Sequence, residues 1–378
     1  MKIVEVQRFS ILVRPVKDQS LISAAGTSQT IIVRIQTDLG LTGLGEAAAD
    51  STEAGRTHSA LRDWLKAYGA ALIGVDPRNI NLVHGLLDQV GGRQAFGSHA
   101  ARAAIDMAVH DIIGKARGCP VYELLGGAYR TELELLADIT RASVPASAAH
   151  TAAERGYRGV KMRIGGGQHL ASQAHFERKS RELVAVLEAV GEDLYVDADA
   201  GQSLGNPALV RTLLDKILSG RFRPNLSLQQ PLHHLDLKGH ALLRETLPIP
   251  IILDDAITSP EAVAQIVRIG AADRIVLGLE RVGGLRNAMR IADICEAAAI
   301  GVSPASGSYT TIGDAAHCHL AAALHDPYPI RVGGHGTFVE MPIIGGPEIN
   351  GGRAVLSDRP GLGVELDENA LQSMRTAD

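Results

Sequence analysis

Eight short β-rich runs, roughly 25–35 residues apart and mostly separated by one helical segment, constrain this chain more than any other feature. They lie at 133–139 (LELLADI), 159–164 (GVKMRI), 193–198 (DLYVDA), 226–232 (LSLQQPL), 250–256 (PIILDDA), 273–279 (DRIVLGL), 301–306 (GVSPAS) and 329–333 (PIRVG). Strands separated by helices pair in parallel, and eight of them suit a closed α/β barrel. A doubly wound open sheet is the alternative. It would be favoured by a Gly-rich phosphate loop after a strand, and none is present. Gly165-Gly166-Gly167 follows a strand but lacks the dinucleotide spacing and reads as a plain turn.

In a parallel barrel the chemistry sits where strands end. The residues ending the runs are Lys161 and Arg163, Asp197 and Asp199, Gln229 and Gln230, Asp254 and Asp255, Gly278 and Glu280, then Ser303 to Tyr309. A spacing of two keeps Lys161 and Arg163 on one face of their strand. Asp197, Gln229 and Asp254 end three successive strands. Carboxylates gathered in this way repel one another unless a positive charge compensates them. Mg²⁺, which takes oxygen ligands, would do so. Any one of these acids, taken alone, reads equally as a helix N-cap or loop anchor; the repetition on three adjacent strands is what points to a metal.

The first third of the chain is different. Strand-like runs at 3–13 and 29–37 flank a polar loop at 15–28, and Asp38-Leu39-Gly40 reads as a hairpin-type turn. From about Ser51 to Lys115 the pattern is helical, with an Ala-rich stretch beginning at His99. Two domains are expected from 378 residues. With only 3% aromatic residues, the core must rest on Ala, Leu, Ile and Val.

A net charge of -5 without a basic block excludes an electrostatic footprint for nucleic acid. No apolar run reaches the roughly 18 residues of a membrane span. The first residues, MKIVEVQRFSILVRPV, alternate like a strand and lack a signal-peptide cleavage pattern. Cys119, Cys295 and Cys318 are scattered, so neither a zinc site nor a disulfide frame is expected, and a reducing cytoplasm is the expected location.

Several motifs together carry a resemblance over nearly the whole chain. Gly159-Val-Lys-Met-Arg-Ile-Gly165 resembles the K-x-K strand of the mandelate racemase and muconate lactonising branch of the enolase superfamily. Val196-Asp197-Ala-Asp199 resembles that branch's D-x-N strand, Leu228-Gln229-Gln230-Pro231 its E-Q-P strand, and Leu253-Asp254-Asp255 its D-E-S strand. Val282-Gly283-Gly284-Leu285 is similar to the GG turn after strand six. In the front segment, Gly40-Leu-Thr-Gly43-Leu-Gly45-Glu46-Ala47, Ala104-Ile105-Asp106 and Pro120 to Gly127 are similar to the capping domain, as is Pro360-Gly361-Leu362-Gly363 near the end.

The resemblance implies an α/β fold: a modified TIM-type (β/α)7β barrel over 128–349 with an N-terminal α+β capping domain over 1–127, completed by about 350–378. It implies that Mg²⁺, or Mn²⁺ in its place, is held by Asp197, Gln229, Asp254 and Asp255. A base then removes the proton alpha to a substrate carboxylate, giving an enediolate that the metal stabilises. Lys161, Arg163 and Tyr309 are the expected catalytic groups, and Asp199, Glu280 and His335 the expected substrate contacts. The expected partner is a small carboxylate substrate, with no nucleic acid or membrane, and the family leans toward homo-oligomers, dimers and octamers. The front-domain stretches 15–28 and 46–56 would close over the mouth and set specificity.

The sequence also departs from that pattern. Gln229 stands where Glu is usual and brings no charge; Asp199 replaces Asn and Asp255 replaces Glu. Arg163 replaces the Lys that normally accepts the proton, and a guanidinium makes a poor base. Lys161 can take that role if burial and a cationic neighbour lower its pKa, while Arg163 holds the substrate by a bidentate fork. Gly278 replaces the strand-six Lys or Asp, and strand seven offers no His-type base. His317 and His319 read as a helix face, not as ligands.

Two function classes follow. One is an enzyme, a racemase, epimerase, cycloisomerase or acid dehydratase, with the lost second base favouring a one-base reaction such as dehydration. The other is an impaired member of the fold that binds a small carboxylate without turnover.

Overall fold

Small residues let the front half of the chain pack closely. A computed structural model describes residues 1–14, 28–50, 56–91, 99–165, 173–218, 220, 223–305, 309–332 and 341–376. Three antiparallel strands, β1 (Ile3–Val13), β2 (Ser28–Thr37) and β3 (Thr42–Ala48), form a sheet in that order. Three helices cover it: α1 (His58–Leu72), α2 (Ile80–Gly91) and α3 (His99–Arg117). Every residue of α3 from Ala100 to Gly114 is buried, so this stretch of the helix lies inside the molecule with no face open to solvent. Gly43 and Gly45 of β3 allow its close approach. A Cβ at Gly45 would stand 1.8 Å from the Ala104 carbonyl oxygen.

After α4 (Val121–Leu124) the chain enters the barrel. The first expected run is split. β4 (Glu132–Glu134) pairs antiparallel with a later strand, and only β5 (Leu136–Asp138) joins the barrel sheet. Then follow α5 (Pro145–Glu154), β6 (Gly159–Arg163), α6 (Gln173–Val190), β7 (Tyr195–Asp199), α7 (Pro207–Leu218), β8 (Leu226–Gln229), α8 (Leu237–Thr246) and β9 (Ile251–Leu253). Next come α9 (Pro260–Ile269), β10 (Arg274–Leu277), the short α10 (Leu279–Val282), α11 (Leu285–Ala297), β11 (Gly301–Pro304) and α12 (Thr311–Ala323). The seven strands from β5 to β11 pair in parallel in sequence order. The eighth expected run contributes two isolated parallel bridges in place of a strand. Ile330 meets Leu135 and Arg331 meets Ala305, joining the two edges of the sheet. This is the parallel barrel that the strand spacing predicts, in the modified TIM-type form that the resemblance implies.

The tail holds β12 (Ile343–Gly345), β13 (Glu348–Asn350), β14 (Arg353–Val355), β15 (Val364–Leu366) and α13 (Glu368–Met374). β13 and β14 pair with β4, and β12 pairs with β15. The chain then returns to the front sheet, where Arg375 bridges Ile11 and the Thr376 N–H donates to the Ser10 carbonyl at 2.9 Å.

Two buried carboxylates from the front half terminate helices of the barrel. Asp106 of α3 accepts from the Leu285 N–H at 2.6 Å, at the start of α11. Gly284 is left without a side chain there because a Cβ would meet Asp106 at 2.5 Å. Glu46 of β3 accepts from the N–H groups of Thr310 and Gly313 at the start of α12, and from the Thr30 and Thr310 hydroxyls. Both satisfy N–H groups that a helix leaves unpaired in its first turn.

Candidate active site

Which side chains face the barrel interior follows from strand alternation. Val160, Met162, Val196, Ala198, Leu226, Leu228 and Ile251 lie in the apolar layer between strands and helices, as do Leu253, Ile275, Leu277 and Val302. Their neighbours therefore point inward: Lys161 and Arg163, Asp197 and Asp199, Ser227 and Gln229, Ile252 and Asp254, then Arg274, Val276 and Gly278. Ile252, Val276 and Ala305 form one small cluster with Tyr195 inside the barrel. Beneath it the Arg274 guanidinium stacks between the rings of Tyr195 and Tyr328. Ile330 packs outward against Leu133, Leu135 and Cys318, so Arg331 faces in.

The acids expected at the strand ends do converge, and each has its own electrostatic surroundings. Asp199 Oδ2 lies 3.0 Å from Lys161 Nζ and 3.0 Å from Arg163 Nη2. Burial pushes the Asp199 pKa up, but the two cations and the Gly201 N–H outweigh it and hold it below the usual carboxylate range. Gly201, at φ 51°, leaves room for the Arg163 guanidinium, which a Cβ there would meet at 2.5 Å. The Arg163 side chain is 40% exposed, against 8% for Lys161. It is the cation at this edge that a ligand from solvent meets first.

Asp197 is differently placed. Burial pushes its pKa up to about 7, against the pull of Lys161. Its Oδ1 is buried with no hydrogen-bond partner, and so is the Oε1 of Gln229 on the adjacent strand β8, one inward position further along. The Gln229 amide nitrogen donates to Asp254 Oδ2 at 2.7 Å. Asp254 also pairs with Arg281, whose other terminal nitrogen lies 3.3 Å from Asp255 Oδ1. Asp255 additionally accepts from the Gln202 amide at 2.9 Å. Among the described residues no three His, Cys, Asp or Glu groups converge as a metal cluster. The available donor set is thus one carboxylate oxygen and one amide oxygen without partners, with Asp254 beside them already engaged.

The far side of the mouth departs from what the sequence suggests. Tyr309, expected to move a proton, is fully buried within the apolar cluster that joins the barrel to the front sheet. Its ring fills the space above Gly313, where a Cβ would be 2.2 Å away, which is the position of a packing residue. Glu280, expected as a substrate contact, is 5% exposed, and its Oε2 has no hydrogen-bond partner. His317 sits 3.9 Å from that oxygen, but its roles are taken: Nδ1 bonds the Gly313 carbonyl at 2.8 Å and Nε2 accepts from the Leu279 N–H at 3.2 Å. It is a structural histidine, as is His319, which accepts from the Tyr122 N–H. His335 and most of the 15–28 loop lie outside the described residues. Of the stretch 46–56, Glu46 is a buried strut and Arg56 is buried, so neither lines a lid.

Three residues of this site escaped sequence reasoning. Arg281, one turn beyond the strand-six end, is the main partner of Asp254. Gln202 positions Asp255. Asp138, ending β5, lies 3.6 Å from Arg331. The rule used for the other strands, reading the last inward residue, finds Asp138 as well; Arg281 has no such signal because a helical turn redirects it.

Comparison with known proteins agrees with this architecture. Residues 4–126 match the family model for the mandelate racemase / muconate lactonizing enzyme N-terminal domain, and residues 144–370 match that for the enolase C-terminal domain-like family. The chain is 29% identical to the N-succinyl-L-Arg/Lys racemase of Bacillus cereus, covering 99% of this chain and 98% of that protein. The crystal structure of that racemase superposes with a TM-score of 0.89, covering 100% and 99% of the two chains at 28% identity. A hydrophobic dipeptide epimerase of Enterococcus faecalis is 30% identical over 79% of this chain and 80% of its own length. A structure of the Enterococcus faecalis dipeptide epimerase, complexed with Mg and L-Leu-L-Tyr, gives a TM-score of 0.85 at 27% identity, covering 97% of this chain and 100% of that one. A cis-3-hydroxy-L-proline dehydratase of Roseibium aggregatum is 28% identical over 88% of this chain and 87% of that protein.

Proposed function

The chain belongs to the enolase superfamily, in its mandelate racemase and muconate lactonizing branch, and from that premise we propose that it is an isomerase or lyase that removes the proton alpha to the carboxylate of a small acid. The observation that carries the reading is the pair of buried, unpartnered oxygens on Asp197 and Gln229, set in the barrel mouth beside Lys161. Buried polar atoms without partners are uncommon and call for a missing cation or ligand.

Those oxygens suit a hard divalent ion, Mg²⁺ or Mn²⁺, and Asp197, Gln229 and Asp254 would hold it, Asp254 after release from Arg281. When bound, the ion supplies positive charge that stabilises the charge a carboxylate gains as its alpha proton leaves. The remaining work falls to the chain. Arg163, the most exposed cation at this edge, orients the substrate carboxylate through its planar fork. Lys161 takes the proton. Because Asp199 is shared by the two cations, it keeps Arg163 as a partner when Lys161 is neutral. Exclusion of water by the surrounding apolar layer strengthens each of these contacts.

The relatives act, by their names, on N-succinyl amino acids, dipeptides and a hydroxyproline. The test is therefore solvent exchange at the alpha carbon in D₂O with Mg²⁺, using N-succinyl-lysine, N-succinyl-arginine, Leu-Tyr and 3-hydroxyproline. Exchange by the wild type, abolished by Lys161→Ala for the antipode whose proton Lys161 takes, is the expected result; no exchange from any of these acids would remove the reading. Binding without turnover is the second reading, favoured by the engagement of Asp254 with both Gln229 and Arg281. Saturable binding of a panel acid with no exchange would establish it.

A further inference from the structure

We propose that Glu280 is a second proton-transferring residue, standing across the barrel mouth from Lys161 and replacing the side chain that Gly278 lacks. The inference rests on the proton-abstraction reading above and changes its stereochemistry.

Gly278 faces into the barrel, two residues beyond the inward Val276. A Cβ on Gly278 would stand 2.8 Å from Glu280 Oε1 and 3.0 Å from both Glu280 Cδ and Oε2. The carboxylate thus occupies the inward space at the end of β10 that a strand-six side chain would fill. The bare glycine makes this possible: α10 begins immediately after it, and the Glu280 side chain folds back over the strand end.

Lys161 and Glu280 also lie on opposite sides. The barrel closes in the order β5 to β11 and then Ile330–Arg331. β6 is the second of these eight positions and β10 the sixth, four places apart in a ring of eight, which is across the diameter. A substrate carbon between them presents one face to each group.

The Glu280 carboxylate is nearly unsolvated at 5% exposure and its Oε2 has no hydrogen-bond partner. A structural carboxylate in such a position is ordinarily capped by donors. The nearby candidate, His317 Nε2, is an acceptor, because its Nδ1 proton is given to Gly313 and Nε2 receives the Leu279 N–H. Besides Glu280, His317 feels the charges of Asp314 and of Arg331 from the closing bridge. An oxygen held bare and aimed inward is suited to accept or return a proton on a ligand.

The step balances simply. The alpha C–H bond breaks, its electron pair enters the conjugated carboxylate, and the proton forms an O–H bond on Glu280 Oε2. The Lys161 ammonium then returns a proton to the opposite face, which inverts the centre. The reverse sequence runs from the other antipode. A two-sided site of this kind suits racemisation or epimerisation better than the one-base dehydration that the glycine alone suggests.

The test is alpha-proton exchange in D₂O by the full-length protein with Mg²⁺, starting separately from each antipode of N-succinyl-lysine and N-succinyl-arginine and from both epimers of Leu-Tyr. The wild type should exchange both antipodes. Glu280→Gln should lower exchange from one antipode by about 10²–10⁴-fold and leave the other within a few-fold, and Lys161→Ala should show the mirror pattern. Exchange of only one antipode by the wild type, or an equal fall or no fall for both antipodes in Glu280→Gln, overturns the assignment. If the Gln variant does not fold, Glu280→Asp is read by the same criterion. No exchange by the wild type from any antipode overturns the underlying reading instead.

Discussion

Lys161 Nζ and Asp199 Oδ2 are 3.0 Å apart, and Arg163 Nη2 reaches the same oxygen at the same distance. One buried anion therefore serves two cations, so the loss of either cation leaves Asp199 paired. Lys161→Ala should lower alpha-proton exchange from the antipode it serves by about 10²-fold or more while shifting the melting temperature little. Asp199→Asn should do the opposite in stability, since it leaves two cations without their partner, at a cost of about 3 kcal/mol. Urea denaturation of both variants beside the exchange assay checks the contrast.

Metal affinity should rise when the missing charge is restored. Gln229→Glu adds a carboxylate between Asp197 and Asp254 and removes the amide that now donates to Asp254. Titration with Mn²⁺ followed by electron paramagnetic resonance should show about 10-fold tighter binding or better, and Asp197→Asn with Asp254→Asn should abolish it. Equal affinity in wild type and Gln229→Glu would show that the ion does not sit on residue 229.

The strut between Glu46 and the start of α12 predicts a pH dependence. Burial raises the Glu46 pKa from 4.5 to about 7, despite its hydrogen bonds to Thr310, Thr30 and Gly313. The folded state thus holds this proton more tightly than the unfolded chain. Its contribution to stability is complete below about pH 4.5 and is lost as pH rises through about 7. Glu46→Gln should flatten the fall in melting temperature between pH 5 and pH 7.5, roughly the interval between the two pKa values. Parallel melting curves for variant and wild type would refute the assignment.

Asp106 should be among the costliest residues to truncate. It is buried, with Oδ1 2.6 Å from His84 Nε2 and Oδ2 2.6 Å from the Leu285 nitrogen, and His110 beside it. Burial alone would push its pKa up, but His110 and His84 hold it well below the usual carboxylate range. Asp106→Ala leaves the His84 imidazole and a helix start without their acceptor and takes the nearby anion from His110, whose Nδ1 keeps the backbone carbonyl of residue 106. A loss of about 3–5 kcal/mol is expected in chemical denaturation; a loss below about 1 kcal/mol would show the strut to be dispensable.

A Cβ at Gly278 tests the Glu280 geometry without removing the acid. Gly278→Ala places a methyl group 2.8–3.0 Å from the carboxylate and must displace it. Exchange from the antipode assigned to Glu280 should fall, with little change in the melting temperature. Unchanged exchange from both antipodes would mean that the carboxylate does not work from this position.

The strand ends were legible in sequence because inward direction is a property of local alternation. Asp197, Gln229 and Asp254 are brought to one mouth, as their repetition on successive strands suggests. Hidden from sequence were the partners. Asp254 meets Arg281 only because α10 turns the chain back over the strand end, and Asp199 meets both Lys161 and Arg163 because β6 and β7 pair in register. Tyr309 looked like a mouth residue because it follows a strand; three-dimensional packing drew it into the core against Gly313.

The sequence alone determined the alternation of strands and helices, the inward set on each strand and the losses at Gln229, Arg163 and Gly278. These are set by period-two geometry and by residue chemistry, which need no knowledge of what lies far away along the chain. Only the tertiary structure decided how those losses are met: Glu280 filling the space of the missing strand-six side chain, Arg281 on Asp254, and Glu46 and Asp106 tying the front half to two barrel helices. Such pairings join residues up to 267 positions apart, and no local pattern encodes which distant donor will close on a given buried carboxylate.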